Sequence, residues 1–249
     1  MPSFDRGSEK KKYLWLSVSS GKKPSFWATS SERLGSWCAM RIKRLIPVIQ
    51  IDEDFQAIKT SKFKKRRYVG DALNLLRIYN DLGVDEVAVW NIDRLPLSDS
   101  GLLHFLSEIA AEARMPLSYG GNLSALGEVS SIISLGFEKV AFSYSTMRQS
   151  VIPPEAIRIL GSSGVQVVIN FKKNLLGRYV ASCHRSGERL STVSEAINHV
   201  TEIGVGEIVL QSIERDGTGT GLDTEVLKEI GSSTSCPIIL AGGLRTHED

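Results

Sequence analysis

Residues 206–223, GEIVLQSIERDGTGTGLD, join an apolar, strand-like run to a loop rich in charge and glycine. Glu214, Arg215 and Asp216 place two carboxylates and a guanidinium directly behind the strand. The glycines that follow leave backbone N–H groups accessible, and such groups bind anions. A connection that only reversed the chain could be short and bland, so this pattern predicts a binding loop.

Two glycine pairs could carry related chemistry. Gly120 and Gly121 follow one apolar run, and Gly242 and Gly243 follow another. Glycine lets backbone N–H groups approach phosphate oxygens closely. The pairs predict two phosphate sites on opposite sides of one mouth, suited to a substrate with a phosphate at each end. The alternative is that both pairs are only turn glycines.

An internal repeat relates the two halves of the chain. GVDEVAVWNIDR (83–94) aligns without a gap with GVGEIVLQSIER (204–215), and MPLSYGG (115–121) aligns with CPIILAGG (236–243). Two copies of a four-strand unit give eight strands, which can close a barrel without exposed edges. The predicted fold class is therefore α/β, specifically a (β/α)8 TIM barrel.

The elements that position these residues follow from the hydrophobic pattern. From Arg44 onward, short β-branched runs alternate with amphipathic runs of helical period, which is typical of βα units. Gly83, Gly136 and Gly204 follow helical runs, as helix C-terminal caps do. The predicted strands are 44–51, 85–91, 116–119, 138–143, 165–171, 206–211 and 237–240, with helices between them.

This pattern contains seven strands, so the predicted barrel is truncated before strand 8. Residues 1–39 match no βα unit and are interpreted as an N-terminal extension, either disordered or a non-native leader before Met40. The predicted barrel domain is 40–249, without its last unit. An alternative is that YLWLSVSS (13–20) supplies the eighth strand by circular permutation.

The composition excludes several classes of protein. The net charge of +2 is too small to indicate nucleic acid or an anionic membrane surface as a partner. The basic clusters 10–12 and 62–67 are interpreted as solvated loops. Three dispersed cysteines, and no apolar run long enough to span a bilayer, favour a cytoplasmic protein.

The remaining candidate ligands are dispersed along the chain. His104 and His199 lie in helical runs, and Cys183 and His184 lie in a predicted hairpin after the fifth strand. Their spacing matches no metal-binding pattern. We therefore predict no metal and no cofactor.

The chain also resembles a known family. The segments that carry the resemblance are, in order, KRLIPVIQID, GVDEVAVWNID, MPLSYGG, GFEKVAFS, VQVVINFKKN, GVGEIVLQSIERDGTGTGLDTE and PIILAGG. From Arg41 to about Arg245 they resemble the cyclase subunit of imidazole glycerol phosphate synthase, a (β/α)8 barrel. In that family a glutaminase docks on the N-terminal face and ammonia travels through the barrel. A bisphosphorylated ribonucleotide is cyclised and cleaved at the C-terminal face. The resemblance places Asp216, Gly217 and Thr218 in the substrate and phosphate cradle.

The chain departs from this family at its catalytic acids. The family's two catalytic aspartates correspond to Gln50 and Asn170, and a third acid corresponds to Asn91. An amide has no proton to exchange near neutral pH, so it cannot replace a carboxylate in general acid–base catalysis. Asp52, on the same face as Gln50 but further into the loop, is a weak candidate for rescue.

A ring of four charges agrees with the family instead. The resemblance makes Arg44, Glu86, Lys139 and Glu207 the gate through which ammonia enters the barrel. Buried charges persist only when paired, so two cations and two anions could also form a purely structural plug. The resemblance assigns Glu138, beside Lys139, to glutaminase docking.

Two functions follow from these observations. The first is a barrel subunit of a glutamine amidotransferase system that accepts ammonia from a glutaminase and has impaired cyclase chemistry. It would pass ammonia to a downstream amidotransferase that makes acetamidino sugars of the O-antigen, because RRYVGDALNLLRIYN and KKNLLGRY resemble that branch. The alternative is an active cyclase and lyase of histidine biosynthesis that acts on a phosphorylated small molecule.

Overall fold

The structure, a computed structural model, describes residues 17–19, 44–183, 185–230 and 234–246. The strands are β1 (Ser17–Ser19), β2 (Arg44–Ile46), β3 (Val48–Ile51), β4 (Gln56–Ser61), β5 (Lys65–Asp71), β6 (Val87–Asn91), β7 (Leu117–Gly120), β8 (Lys139–Ser143), β9 (Val165–Lys173), β10 (Tyr179–Ser182), β11 (Arg189–Thr192), β12 (Glu207–Ser212) and β13 (Ile238–Ala241). The α-helices are α1 (Ala72–Leu82), α2 (Ser100–Glu112), α3 (Leu126–Ser134), α4 (Tyr144–Gln149), α5 (Ile152–Leu160), α6 (Val193–Ile203) and α7 (Val226–Ile230).

The strands form one barrel-like sheet. Strands β3, β6, β7, β8, β9, β12 and β13 are hydrogen-bonded in that order, and every neighbouring pair is parallel. β2 and β3 are halves of one strand, separated by Pro47. Because β1 pairs with both β2 and β13, the strand order returns to its start and the sheet closes.

The predicted strands are confirmed, each within two residues of its expected bounds. The hairpin of β4 and β5 was not predicted, and the interpretation of residues 62–67 as a loop was wrong, because β5 begins at Lys65. The cluster's side chains are nevertheless solvent-exposed, apart from the half-buried Phe63. A hairpin after the fifth strand was predicted, and β10 and β11 form it.

The place of an eighth parallel strand is taken by β1. Residues 1–16 and 20–39 of the predicted N-terminal extension lie outside the described residues. Ser17–Ser19 falls within residues 13–20, the alternative eighth strand, and it lies between β2 and β13. It runs antiparallel to both neighbours, whereas a circularly permuted βα unit would supply a parallel strand.

Helix ends follow the glycine pattern of the sequence. Gly83 ends α1 with φ of 63°, and Gly204 ends α6 with φ of 89°. Both adopt the left-handed conformation that glycine reaches without a Cβ penalty. Each glycine is followed within four residues by the next barrel strand, so the helices return the chain directly to the strand starts.

The barrel interior is layered. Because strand side chains alternate, Ile46, Ala88, Val209 and Ile239 pack together inside the barrel, whereas residues such as Val87 pack in the larger core that includes the helices. Polar side chains lie at both ends of the apolar interior layer. Charged groups occupy the strand starts and amides occupy the strand ends. The two ends of the barrel therefore have different chemistry.

A proline substitution tests whether β1 closes the barrel. Val18 pairs with Leu45 on one side and Leu240 on the other. We expect Val18→Pro to lower the free energy of unfolding by about 1–3 kcal/mol, because proline removes a ladder donor and distorts the strand. Thermal unfolding of the full chain measures this effect, with Val18→Thr as the control that keeps strand propensity. Equal melting temperatures for both variants would contradict closure by β1.

Candidate functional site

A cavity opens at the carboxyl ends of the parallel strands, where the loops of a barrel build binding sites. About 450 Å³ of empty space, part of it open to solvent, lies between its walls. Its lining, which defines the mouth cavity, consists of Val48, Gln50, Ile58, Lys59, Thr60, Trp90, Gln211, Asp216, Ala241 and Gly242. Three residues predicted from the sequence, Gln50, Asp216 and Gly242, therefore meet in one cavity.

The β4–β5 hairpin is fastened over this cavity by Asp216. The Thr60 hydroxyl donates to Asp216 Oδ2 at 2.7 Å, and the Lys62 N–H donates to the Asp216 carbonyl oxygen at 2.9 Å. Lys62 and Phe63 adopt left-handed conformations, with φ of 51° and 58°. Such conformations cost free energy for residues other than glycine, so these contacts help to hold a strained turn. Asp216 thus joins the binding loop to the hairpin.

Two ionisable side chains among the described residues, Lys59 and Asp216, line the mouth cavity. Burial raises the pKa of Asp216, although hydrogen bonds from Thr60, Phe63 and Gln211 and the charge of Lys59 oppose the rise. Burial also lowers the pKa of Lys59, helped by the charge of Arg67 and opposed by Asp216. Both pKa values therefore move towards neutrality, as is typical of ionisable groups at functional sites. Sequence reasoning missed Lys59, because the hairpin that carries it was not predicted.

The two positions of the family's catalytic acids both lie at strand ends. Gln50 lines the mouth cavity, and its Oε1 is buried without a hydrogen-bond partner among the described residues. Asn170 pairs in register with Gln211 on the neighbouring strand, but it is not part of the cavity lining. A buried amide oxygen without a partner is costly, which favours a ligand or water that donates to Gln50.

Asn91 and Asp52 are occupied by local structure. The Asn91 amide donates to Leu95 O and Tyr119 Oη, and its Oδ1 accepts from the Leu95 N–H, which closes the loop after β6. Asp52 Oδ1 accepts from the N–H groups of Asp54 and Gln56, which turns the chain into the hairpin. Neither residue lines the mouth cavity. The structure therefore does not support rescue of Gln50 by Asp52.

The predicted phosphate-binding glycines allow loops to approach one another. A Cβ on Gly121 would lie 2.5 Å from the Asn91 carbonyl oxygen, and a Cβ on Gly243 would overlap the Gly221 carbonyl oxygen. Their φ angles are 140° and 95°. Close packing of the loops therefore requires glycine at both positions, and phosphate binding by these glycines stays a prediction.

The two glycine pairs lie on opposite sides of the mouth. Gly120 and Gly121 stand at the end of β7, and Gly242 and Gly243 follow β13. Strands β8, β9 and β12 separate the pairs on one side of the barrel, and β6, the split strand β2–β3 and β1 separate them on the other. The internal repeat therefore corresponds to a twofold arrangement of loops around the cavity.

The binding loop is held by its own side chains. Arg215 Nη1 donates to the carbonyl oxygens of Gly221 and Leu222 at 3.2 and 2.9 Å, and its guanidinium lies 3.5 Å from Asp223. The Thr218 hydroxyl donates to the Arg215 carbonyl oxygen at 2.7 Å. The guanidinium predicted for ligand binding therefore holds the loop in shape.

The four predicted gate residues meet at the strand starts and form a cluster, the charged plug. Lys139 Nζ donates to Glu86 Oε2 at 2.6 Å and to Glu207 Oε2 at 3.0 Å. Arg44 donates to Glu86 Oε2 at 3.2 Å and also contacts Glu207 Oε1. Two cations thus bridge two anions across the barrel. Removing one partner of such a buried pair leaves an uncompensated charge, which is strongly destabilising.

A fifth residue, Gln166, completes the charged plug. Its Nε2 donates to Glu86 Oε1 at 3.1 Å and to Glu207 Oε2 at 2.6 Å. Gln166 is buried, and sequence reasoning missed it. The signal was present, because period-2 alternation along VQVVIN puts Gln166 on the same face as Asn170, inside the barrel.

The charged plug carries paired charges. Burial alone would raise the pKa of Glu207, but Lys139, the Gln166 amide and Arg44 together hold that pKa below its usual range. Glu207 is therefore an anion at neutral pH. Next to the plug, Glu138 is exposed and lines a second cleft with Lys139, Ile133 and Leu160.

The remaining candidate ligands do not converge. His104 is exposed near Glu108, and His199 packs edge-on against Tyr144. Cys183 lies in the β10–β11 turn, and His184 is outside the described residues. In the described part of the chain, no group of three or more His, Cys, Asp or Glu side chains could hold a metal ion. No helix there is long and apolar enough to cross a membrane.

Two glycines of the binding loop provide a matched test of the hairpin contact. Gly217 and Gly219 have left-handed φ angles of 71° and 62°, so alanine costs each about 1–2 kcal/mol of backbone strain. A Cβ on Gly217 would overlap the Thr60 carbonyl oxygen, whereas a Cβ on Gly219 meets nothing within 4 Å. We expect Gly217→Ala to lower the free energy of unfolding by about 1–3 kcal/mol more than Gly219→Ala does, as measured by chemical denaturation. We also expect it to speed proteolysis of the hairpin. Equal losses of unfolding free energy in the two variants would show that contact with this loop does not stabilise the hairpin.

Comparison with known proteins agrees with this arrangement. The family described as "Histidine biosynthesis protein" matches residues 44–249. A Leptospira borgpetersenii protein, provisionally named imidazole glycerol phosphate synthase subunit HisF, is 36% identical over 202 residues, which cover 80% of this chain and 79% of that protein. The imidazole glycerol phosphate synthase subunit HisF of Alkaliphilus metalliredigens is 30% identical over 213 residues, 84% of this chain and 83% of that protein.

The match extends over almost all of the described barrel, and it includes the strand starts with the charged plug and the strand ends with the mouth cavity. The chain therefore belongs to the histidine biosynthesis protein family and is HisF-like.

Proposed function

We propose that this chain is the barrel subunit of a glutamine amidotransferase system, and that it takes ammonia from a glutaminase on its N-terminal face. The observation that carries the proposal is the charged plug at one end of an apolar interior whose other end opens into the mouth cavity. The layer between plug and cavity consists of packed apolar side chains, so ammonia would pass it only as these side chains move apart.

The interior favours neutral ammonia over ammonium. Ile46, Ala88, Val209 and Ile239 lie in the layer between the plug and the mouth, and burial of an unpaired cation in such surroundings is costly. Neutral ammonia carries no such penalty. The apolar layer would therefore admit ammonia as the free base, once the plug lets it pass.

The chemistry at the mouth is expected to be weaker than in an active cyclase. Gln50 and Asn170 stand at the positions of the family's two catalytic aspartates, and loss of one general acid or base typically costs about 10²- to 10⁴-fold. Lys59 and Asp216 are ionisable, but Asp216 is engaged with the hairpin. We therefore infer that the chain supplies ammonia to a separate amidotransferase. The resemblance of RRYVGDALNLLRIYN and KKNLLGRY to the acetamidino-sugar branch makes an enzyme that forms such sugars the expected acceptor.

The second candidate is an active cyclase and lyase of histidine biosynthesis, since relatives are named as HisF subunits of imidazole glycerol phosphate synthase. Gly120 and Gly242, on opposite sides of the mouth, would then bind a substrate with two phosphates. Turnover at ordinary enzyme rates, about 1 s⁻¹ or more, with the histidine-pathway bisphosphate and free ammonium would establish this function and overturn the first proposal.

Restoring the two acids tests whether Gln50 and Asn170 stand at the catalytic positions. We expect Gln50→Asp combined with Asn170→Asp to raise ammonium-dependent cyclase turnover by about 10²-fold or more, because both proton-transfer groups return. Asn91→Asp is the control, since Asn91 is engaged by its own loop. The measurement is product formation by the purified chain. No increase in the double variant would show that these strand ends are not the catalytic positions.

Removing one plug cation tests conduction. We expect Lys139→Ala to increase the ammonia that escapes to solution per glutamine hydrolysed, because Glu86 and Glu207 then retain Arg44 as their one cation in the plug and attract water and ammonium. Free ammonia and glutamate are measured in the complex with the glutaminase and the acceptor enzyme. Lys228→Ala, which removes an exposed lysine paired with Glu225, is the control. Unchanged escape with an intact complex would count against a conducting barrel.

A further inference from the structure

Gln166 occupies a central position among charged side chains. It is 3% exposed, and its single amide nitrogen donates to both glutamates of the charged plug. Both N–H groups of this amide are therefore used, one for each carboxylate. Glu86 directly precedes β6 and Glu207 begins β12, and these strands lie on opposite sides of the barrel, so Gln166 joins the starts of two distant strands.

The donors are distributed unevenly over the four carboxylate oxygens. Arg44 and Lys139 share Glu86 Oε2, whereas Gln166 supplies the donor to Glu86 Oε1. Glu207 Oε1 accepts from Arg44, and Glu207 Oε2 accepts from Lys139 and Gln166. Movement of Lys139 alone would leave the two glutamates joined by Gln166 as well as by Arg44.

The neutral amide is suited to this position. Arg44 and Lys139 already balance the charges of Glu86 and Glu207, so a third cation would leave the buried cluster with excess positive charge. An apolar residue would leave Glu86 Oε1 buried without this donor. Gln166 adds two hydrogen bonds and no charge.

If the barrel conducts ammonia as proposed above, the glutamates must separate for it to pass. We propose that Gln166 is a positioning residue that holds the charged plug closed by joining Glu86 to Glu207. It raises the free energy needed to open the plug for ammonia, and it does not contact the mouth cavity. This role belongs to the closed state, because both hydrogen bonds must break when the glutamates separate.

The test compares Gln166→Leu with Lys139→Ala in the complex of the full chain with its glutaminase and acceptor enzyme. The probe is glutamine with an isotope-labelled amide nitrogen, and the readout is labelled ammonia in solution per glutamate formed. We expect Gln166→Leu, which removes two hydrogen bonds, to lower this escape by at least the roughly 2- to 10-fold that one typical hydrogen bond contributes to an equilibrium. Lys139→Ala is expected to raise it. Asn198→Ala, an exposed amide on α6, is the control.

A second variant keeps the test valid if Gln166→Leu does not fold. Gln166→Glu has the same shape but adds a carboxyl facing Arg44, Glu86, Lys139 and Glu207, near Cys236. We expect escape to rise at neutral pH and to return towards the wild-type value as pH falls and the introduced carboxyl is protonated. The wild-type complex, measured at the same pH values, corrects for the glutaminase's own pH response.

The outcomes separate this inference from the proposed function. If Lys139→Ala raises escape but neither Gln166 variant changes it, Gln166 is only a structural residue and the inference is wrong. If no plug variant changes escape in an intact complex, the conducting function and this inference both fail. Opposite effects of Gln166→Leu and Lys139→Ala support both.

Discussion

The burial of two carboxylates inside the barrel is the constraint on which the rest of the structure depends. Glu86 and Glu207 are almost fully enclosed at the strand starts, and each needs cations and N–H donors that come from other strands. Arg44, Lys139 and Gln166 supply them from β2, β8 and β9. Since an unpaired buried charge is very costly, these strands must keep one register. The plug therefore fixes the geometry from which the mouth at the far strand ends is built.

The mouth is organised by a different interaction. Asp216 receives the Thr60 hydroxyl and the N–H groups of Lys62 and Phe63, so the hairpin and the binding loop form one wall of the cavity. Gly217 permits this approach, because a Cβ there would overlap the hairpin backbone. The loop with its carboxylate, guanidinium and glycines thus has a large structural component. The cavity it encloses is lined at its strand ends by the amides of Gln50 and Gln211.

The sequence predicted the parts of the molecule that depend on local patterns. Strand positions followed from alternating β-branched runs, and helix ends followed from Gly83 and Gly204. The meeting of Arg44, Glu86, Lys139 and Glu207 was predicted through the family resemblance, and the structure brings them together.

What could not be predicted depends on contacts between distant segments. The β4–β5 hairpin is stabilised by Asp216, more than 150 residues away, and Lys59 reaches the cavity only through that hairpin. Gln166 was overlooked because a single polar residue in an apolar strand has no signature until its partners are known.

The two ends of the barrel differ in charge, and this difference affects how the mouth, with amides at Gln50 and Asn170, would treat ammonia. A carboxylate at Gln50 or Asn170 would attract a proton and stabilise ammonium, which helps acid–base chemistry but retains the nitrogen as a cation. An amide carries no charge, so it gives ammonium no comparable stabilisation. On the proposed function, the amides that weaken cyclisation would therefore also favour release of the free base. The paired charges of the plug and the amides at Gln50 and Asn170 would then both serve the transfer of ammonia. Charge would control entry at the strand starts, and Gln50 and Asn170 would add no further anion to Asp216 at the strand ends to hold ammonium.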